Sequence, residues 1–135
     1  MSTVSITTRL STTVSRQPGP IDRLQVSITE PGDSVTLCAV AGEVDCYTVE
    51  VLRARLIGAV DKAARTLVVD LSAVSFFGVV GLYVLFEARE QADGTRRRLR
   101  LVTGPRCVDR VLDVAGEPVR FERFPDLASA VLDRD

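Results

Sequence analysis

Apolar and polar residues alternate along Leu24-Gln25-Val26-Ser27-Ile28-Thr29-Glu30, the period of a half-buried strand. Pro31-Gly32-Asp33 is a turn signal, and Ser34–Val40 reads as a second strand, so the two are expected to pair as an antiparallel hairpin. Gly42-Glu43-Val44-Asp45 ends that strand. The period then changes. Across Tyr47–Val60, Leu52, Leu56, Ala59 and Val60 recur at helical spacing, with Glu50, Arg53 and Arg55 supplying a polar side. Asp45 stands just ahead of this helix, where its carboxylate can accept backbone N–H bonds as an N-cap. Thr66–Leu71 is a near-continuous apolar run, as in a parallel strand covered on both faces. A helix over Val79–Asp93 follows, with Gly94 as its stop. Arg98–Val102 is the next strand, Pro105–Ala115 the next helix and Val119–Phe124 a last short strand. Pro125-Asp126 opens a terminal helix with Leu127, Ala130 and Val131 facing inward. The order β-β-α-β-α-β-α-β-α predicts an α/β fold, a mixed and mostly parallel sheet of about five strands carrying about four helices.

A chain of 135 residues, 46% of them hydrophobic, is long enough for one domain with a real core. That domain is expected over residues 23–135. Residues 1–22 read separately: Met1–Pro20 holds nine Ser or Thr and ends in Gln-Pro-Gly-Pro, a tail or a short edge element. The net charge of −1 lacks the basic excess of a direct nucleic-acid binder. No apolar run marks a signal peptide or a membrane helix, so the chain reads as cytoplasmic and without membrane insertion.

Candidate chemistry is sparse. There is no histidine, which removes the usual general base and the commonest metal ligand. No nucleophile–base pair, metal cluster or cofactor motif is visible, so the chain does not read as an enzyme. Cys38, Cys46 and Cys107 form neither a CxxC pair nor a disulfide framework. The most informative segment is Phe76-Phe77-Gly78-Val79-Val80-Gly81-Leu82-Tyr83-Val84, at a strand-to-helix turn where open α/β proteins place their ligand groups. It carries no hydroxyl, carboxylate or thiol between Phe76 and Leu82, which points to a binding surface.

Three pieces, Gly42-Glu43-Val44-Asp45, the run Leu67-Val68-Val69-Asp70-Leu71-Ser72-Ala73-Val74-Ser75-Phe76, and Gly81-Leu82, resemble a STAS domain over roughly residues 24–132. This is the domain of bacterial anti-sigma factor antagonists and is also found in sulfate transporters. The resemblance implies a STAS-like fold and a partner, an anti-sigma factor, often a serine kinase, whose capture frees a sigma factor for transcription. It implies alternatives as well: an accessory subunit of a lipid-transport system, or a small-ligand sensor. Family members usually read Asp-Ser-Ser-Gly or Asp-Ser-Thr-Gly at the second helix N-terminus, and the kinase phosphorylates a Ser or Thr there. Here the sequence reads Gly78-Val79-Val80-Gly81, so Val80 stands at the phospho-acceptor position and has no hydroxyl.

The partner surface implied by this comparison comprises Asp45, Ser75, Phe77, Gly78, Val79, Val80, Gly81 and Tyr83. Glu87, Glu90 and Gln91 mark the wet side of the second helix, and stepping back one turn lands on Tyr83, Val80 and Val84. Leu82, Leu85 and Phe86 form the core stripe. Loops after neighbouring parallel strands share one rim, here Gly42–Cys46, Ser75–Gly81 and Thr103–Cys107. That places Cys46 and Cys107 as a candidate redox pair. Ser72 and Ser75 are the nearest hydroxyls to the turn, Ser72 as a local turn anchor. The exposed patch is also a candidate homodimer surface. Arg96-Arg97-Arg98 with Arg100 reads as a solvated basic turn leading into a strand, or as a contact for an acidic partner.

Overall fold

The computed structural model describes residues 23–115 and 121–132. Residues 1–22, and residues 119–120 of the expected last strand, lie outside the described residues. Five strands form one sheet in the order β1-β2-β3-β4-β5. They are β1 (Leu24–Gly32), β2 (Val35–Val44), β3 (Thr66–Phe77), β4 (Arg98–Val102) and β5 (Glu122–Phe124). β1 pairs antiparallel with β2, and every later neighbour pairs in parallel. Among the described residues, four helices connect or follow them: α1 (Val49–Lys62), α2 (Val79–Gly94), α3 (Arg106–Ala115) and α4 (Leu127–Leu132). The expected element order and sheet are found.

Strand alternation divides the core. Leu67, Val69 and Leu71 of β3 join Cys38 and Val40 of β2 and Leu99 and Leu101 of β4 on the face covered by α1, α2 and α3. Val68, Val35 and Val102 point to the other face, where Ala130 of α4 covers them with Leu127 and Val131 alongside. Successive Cβ atoms of a strand alternate between faces, which is why the apolar run of β3 has to be continuous.

Two boundaries move in a way that matters. β2 and β3 continue beyond Val40 and Leu71, pairing from Ala41↔Ala73 to Val44↔Phe77 across two register shifts. β4 stops with Val102 opposite Asp70, seven residues short of the end of β3. Two long strands therefore stand above the rest of the sheet. Thr103–Cys107 leaves at a lower level than the other two loops, so the expected three-loop rim is corrected to a two-loop rim.

The basic run is also corrected. Arg100 is buried at 2% exposure on the α4 face, where its Nη1 donates to the Ala130 carbonyl at 3.0 Å and its guanidinium lies over Phe124. Arg98 donates through Nε to Glu122 Oε2 at 2.7 Å, and Arg97 through Nε to the Ala63 carbonyl at 2.9 Å. The charge pattern alone does not reveal that α4 covers this face.

Helix α2 ends at Gly94, as expected. Its last carbonyls are closed by the backbone N–H groups of Thr95, Arg96 and Arg97, with Arg97 N–H reaching the Ala92 carbonyl at 2.8 Å. Arg96 takes the left-handed conformation at φ 60° that this ending requires. An L residue with a Cβ pays for that conformation, so Arg96→Gly is expected to stabilise the domain by about 0.5–1 kcal/mol. Urea unfolding of the two proteins measures it, and an unchanged or lower midpoint would remove the strain from the account.

Candidate functional site: an apolar rim at the ends of β2 and β3

The rim is built from the loop after β2 and the turn after β3. Gly78 N–H donates to the Val44 carbonyl at 2.8 Å, which locks the two chain segments together where the strands end. Asp45 organises the first segment. Its Oδ1 accepts from the backbone N–H of Tyr47 at 2.9 Å and of Thr48 at 3.0 Å, while Thr48 Oγ1 accepts from the Asp45 N–H at 2.9 Å. This is a reciprocal capping box, with Asp45 as the N-cap and Thr48 three residues on. The Val49 N–H already reaches the Asp45 carbonyl at 2.9 Å, so the helical turn begins before the regular helix at Val49. The expected capping role of Asp45 is what the structure shows. Thr48, fully buried and donating to the Glu43 carbonyl at 2.7 Å, was missed in the sequence although the D-x-x-T spacing could have shown it.

Asp45 has a second partner outside the loop. Arg23 Nη1 lies 2.9 Å from Asp45 Oδ2 and 3.1 Å from Glu43 Oε1, and its guanidinium lies over the Tyr47 ring. Burial pushes the Asp45 carboxyl up, but the Arg23 hydrogen bond, the Tyr47 and Thr48 N–H groups and the Arg23 charge outweigh it, holding the group below its ordinary value. A depressed folded-state value stabilises the fold above the unfolded-state value, near ~3.9, and loses that contribution as pH falls through the folded-state value. Asp45→Asn is therefore expected to be less stable than the parent at pH 7, with the gap closing in acid. Urea unfolding at both pH values checks this, and a gap that persists in acid would mean that the charge of Asp45 is not its source.

Four large side chains stand exposed on or beside this frame: Tyr47 (73%), Phe76 (51%), Val79 (50%) and Tyr83 (59%). Val79 and Tyr83 are exposed, as is Ser75, whose Oγ donates to the Gly42 carbonyl at 3.3 Å, while Asp45 is half-buried. Gly78 and Val80 are half-buried, and Val80 packs against the core.

Two of the expected surface residues are internal. Phe77 is buried at 3%, because the register of β3 turns Phe77 inward and Phe76 outward. Gly81 is buried with its Cα against the Phe77 ring and Val44, where an added Cβ would lie 2.7 Å from the ring. Phe76 and Tyr47 thus replace Phe77 and Gly81 on the exposed surface. Val84 is corrected too. It is fully buried, since α2 is covered by the sheet on one side and by α1 on another, and its buried face spans Gly81, Leu82, Val84, Leu85 and Ala88.

All three thiols are free. Cys107 is half-buried with its Sγ 3.8 Å from the Val74 carbonyl of β3, and Cys46 is exposed just beyond the end of β2. Cys38 is fully buried, and loss of hydration pushes its thiol up to about 12 despite the nearby Arg55 charge, as expected of an inert core thiol. Ser72 lies within β3 and not at a strand-end turn, so its expected role as a turn anchor is corrected; its backbone N–H donates to Asp70 Oδ1 at 2.9 Å. Among the described residues no helix is long and apolar enough to cross a membrane.

Comparison with known proteins fits this geometry. An anti-sigma factor antagonist from Mycobacterium paratuberculosis is 30% identical, with a TM-score of 0.72 over 80% of this chain and 91% of that one. An RsbS variant from Moorella thermoacetica is 21% identical, with a TM-score of 0.65 over 79% of this chain and 92% of that one. The anti-sigma factor antagonist SpoIIAA in its unphosphorylated form is 15% identical, with a TM-score of 0.62 over 80% of this chain and 94% of that one. The last two show likeness of fold alone. No curated protein matches the chain. Residues 27–130 match the STAS domain family, and the chain belongs to that family.

Proposed function

We propose that this protein is an anti-sigma factor antagonist that acts by binding, with the rim at the ends of β2 and β3 as its contact surface. The observation that carries the reading is the cluster of exposed apolar side chains, Phe76, Val79 and Tyr83, around the turn where family members usually carry the phospho-acceptor. Exposed apolar surface on a rigid frame is how interaction sites are marked. The 30% identity to an anti-sigma factor antagonist supports the choice of partner.

Phosphate on a Ser or Thr at that turn would add about −1.5 to −2 charge and disrupt an apolar contact. SpoIIAA exists in unphosphorylated and phosphorylated forms. Val80 offers no oxygen to accept phosphate, so the rim of this protein has a single covalent state at that position. Binding is then controlled by abundance or by another ligand, or stays constitutive.

The test is sigma release. The purified protein is titrated into preformed complexes of anti-sigma and sigma factors from the same cell, and free sigma is followed by size-exclusion chromatography. Release by the unmodified protein is expected, undiminished after incubation with the kinase and ATP. No release from any complex would overturn the reading. Loss of release after ATP treatment, with phosphate on Ser72 or Ser75, would overturn the single-state rim.

A further inference from the structure

At the opposite end of β3, about 35 Å along the strand from the rim, arginines surround a cavity of about 510 Å³. Arg65, Arg89, Arg96, Arg97 and Arg98 line it against two carboxylates, Asp93 and Glu122. The whole chain has a net charge of −1, so this is a local concentration of positive charge and not a reflection of composition. We propose that this cavity binds a small, multiply charged phosphate-bearing anion.

The arginines differ in what holds them. Arg97 and Arg98 are fixed by their Nε donors, to the Ala63 carbonyl and to Glu122 Oε2. Fixed guanidinium groups lose little freedom when a ligand arrives. Arg89 lies over the Phe121 ring, and its Nη1 is shut off from solvent with no acceptor among the described residues. Its nearest carboxylate oxygen, Asp93 Oδ2, stands 4.0 Å from Nε. A shielded N–H without an acceptor is costly, and a ligand oxygen relieves that cost. Arg65 and Arg96 are exposed at the mouth and make no ion pair among the described residues.

Helix capping does not account for this cluster. The end of α2 is closed by backbone N–H groups, without a side chain of Arg89, Arg96 or Arg97 on its carbonyls. Arg96 nevertheless occupies the left-handed position where glycine would be less strained. Keeping a guanidinium at the cavity mouth is what that strain secures. Planar, permanently charged forks suit phosphate oxygens, and the volume falls within the range of small-ligand pockets.

Calorimetric titration of the full chain with inorganic phosphate, pyrophosphate and ADP tests the proposal. Pyrophosphate is expected to bind more tightly than phosphate, with a Kd below about 1 mM at low salt. Arg65→Gln and Arg96→Gly should each weaken it by about tenfold or more, whereas Arg110→Gln on α3 should leave it unchanged. Arg96→Gly is the sharper variant, because it is expected to raise the melting temperature while weakening the ligand, and a purely structural role gives no such opposition. ADP tighter than pyrophosphate identifies a nucleotide as the source, and equal or weaker ADP binding identifies free phosphates. Absence of binding by all three at ~10 mM, or equal binding by Arg65→Gln and Arg96→Gly, would overturn the site. The outcome is independent of sigma release, which is read at the other end of the molecule.

Discussion

Gly42→Ala is expected to destabilise the domain by about 3 kcal/mol or more, enough to lower its melting temperature by roughly 10 °C. Gly42 sits at φ 110°, a conformation closed to residues with a side chain. A Cβ at this position would lie 2.0 Å from the Arg23 carbonyl oxygen, 3.0 Å from the Arg23 carbonyl carbon and 3.3 Å from the Leu24 Cα. These are backbone atoms and cannot rotate aside. The only relief is to lift the start of β1 off β2, which breaks the Leu24↔Gly42 pairing and pulls Arg23 away from Glu43 and Asp45. Damage at Gly42 therefore reaches the rim through Arg23. Gly58→Ala is the matched control. Nothing lies within 4 Å of a Cβ there, inside α1, and alanine is the better helix former, so that variant should gain about 0.5–1 kcal/mol. Denaturant unfolding of both variants separates the effects. A Gly42→Ala protein within about 1 kcal/mol of the parent would falsify the close approach of β1.

Most of the fold was legible because periodicity reports burial, and burial decides these elements. The hairpin, the buried β3 and the inward stripe of α1 followed from spacing alone. What escaped depended on partners distant in sequence. The extension of β2 and β3 past Val40 and Leu71 comes from their pairing with each other through two register shifts, which no local pattern encodes. That extension sets which of two adjacent phenylalanines faces out, so Phe76 and Phe77 were exchanged. Val84 fails for a related reason: a helix touching both a sheet and another helix buries more than one stripe, and counting back from Glu87 assumes a single wet side. Arg100 reads as polar in any window, yet α4 covers it from about thirty residues downstream, where Ala130 supplies its acceptor. Arg23 is the converse case. It lies at the edge of the Ser/Thr-rich segment and carries no motif, but it ties the loop of Asp45 to the start of the sheet.

The rim itself invites a variant whose effects on folding and on binding have opposite signs. Val79 is the first residue of α2, half exposed, and no acidic residue occupies the first turn of that helix. Val79→Asp places a carboxylate at the positive end of the helix, where it is worth about 0.3–1 kcal/mol, so the domain should unfold at the same denaturant concentration or slightly higher. The same carboxylate sits beside Phe76 and Tyr83 on the proposed contact surface, and burying it there against apolar partner atoms is costly. Affinity for the anti-sigma factor is expected to fall by more than about tenfold, or 1.4 kcal/mol. Val80→Asp is less informative, because Val80 packs against the core and loss of binding would be entangled with loss of folding. Tyr83→Ala supplies the apolar counterpart: it removes contact area without adding charge, and a smaller loss of affinity is expected. Calorimetric titration against the anti-sigma factor, run beside urea unfolding, reads both signs. Unchanged affinity of Val79→Asp would move the contact surface off the rim, whereas lost affinity in a domain as stable as its parent would place the contact there.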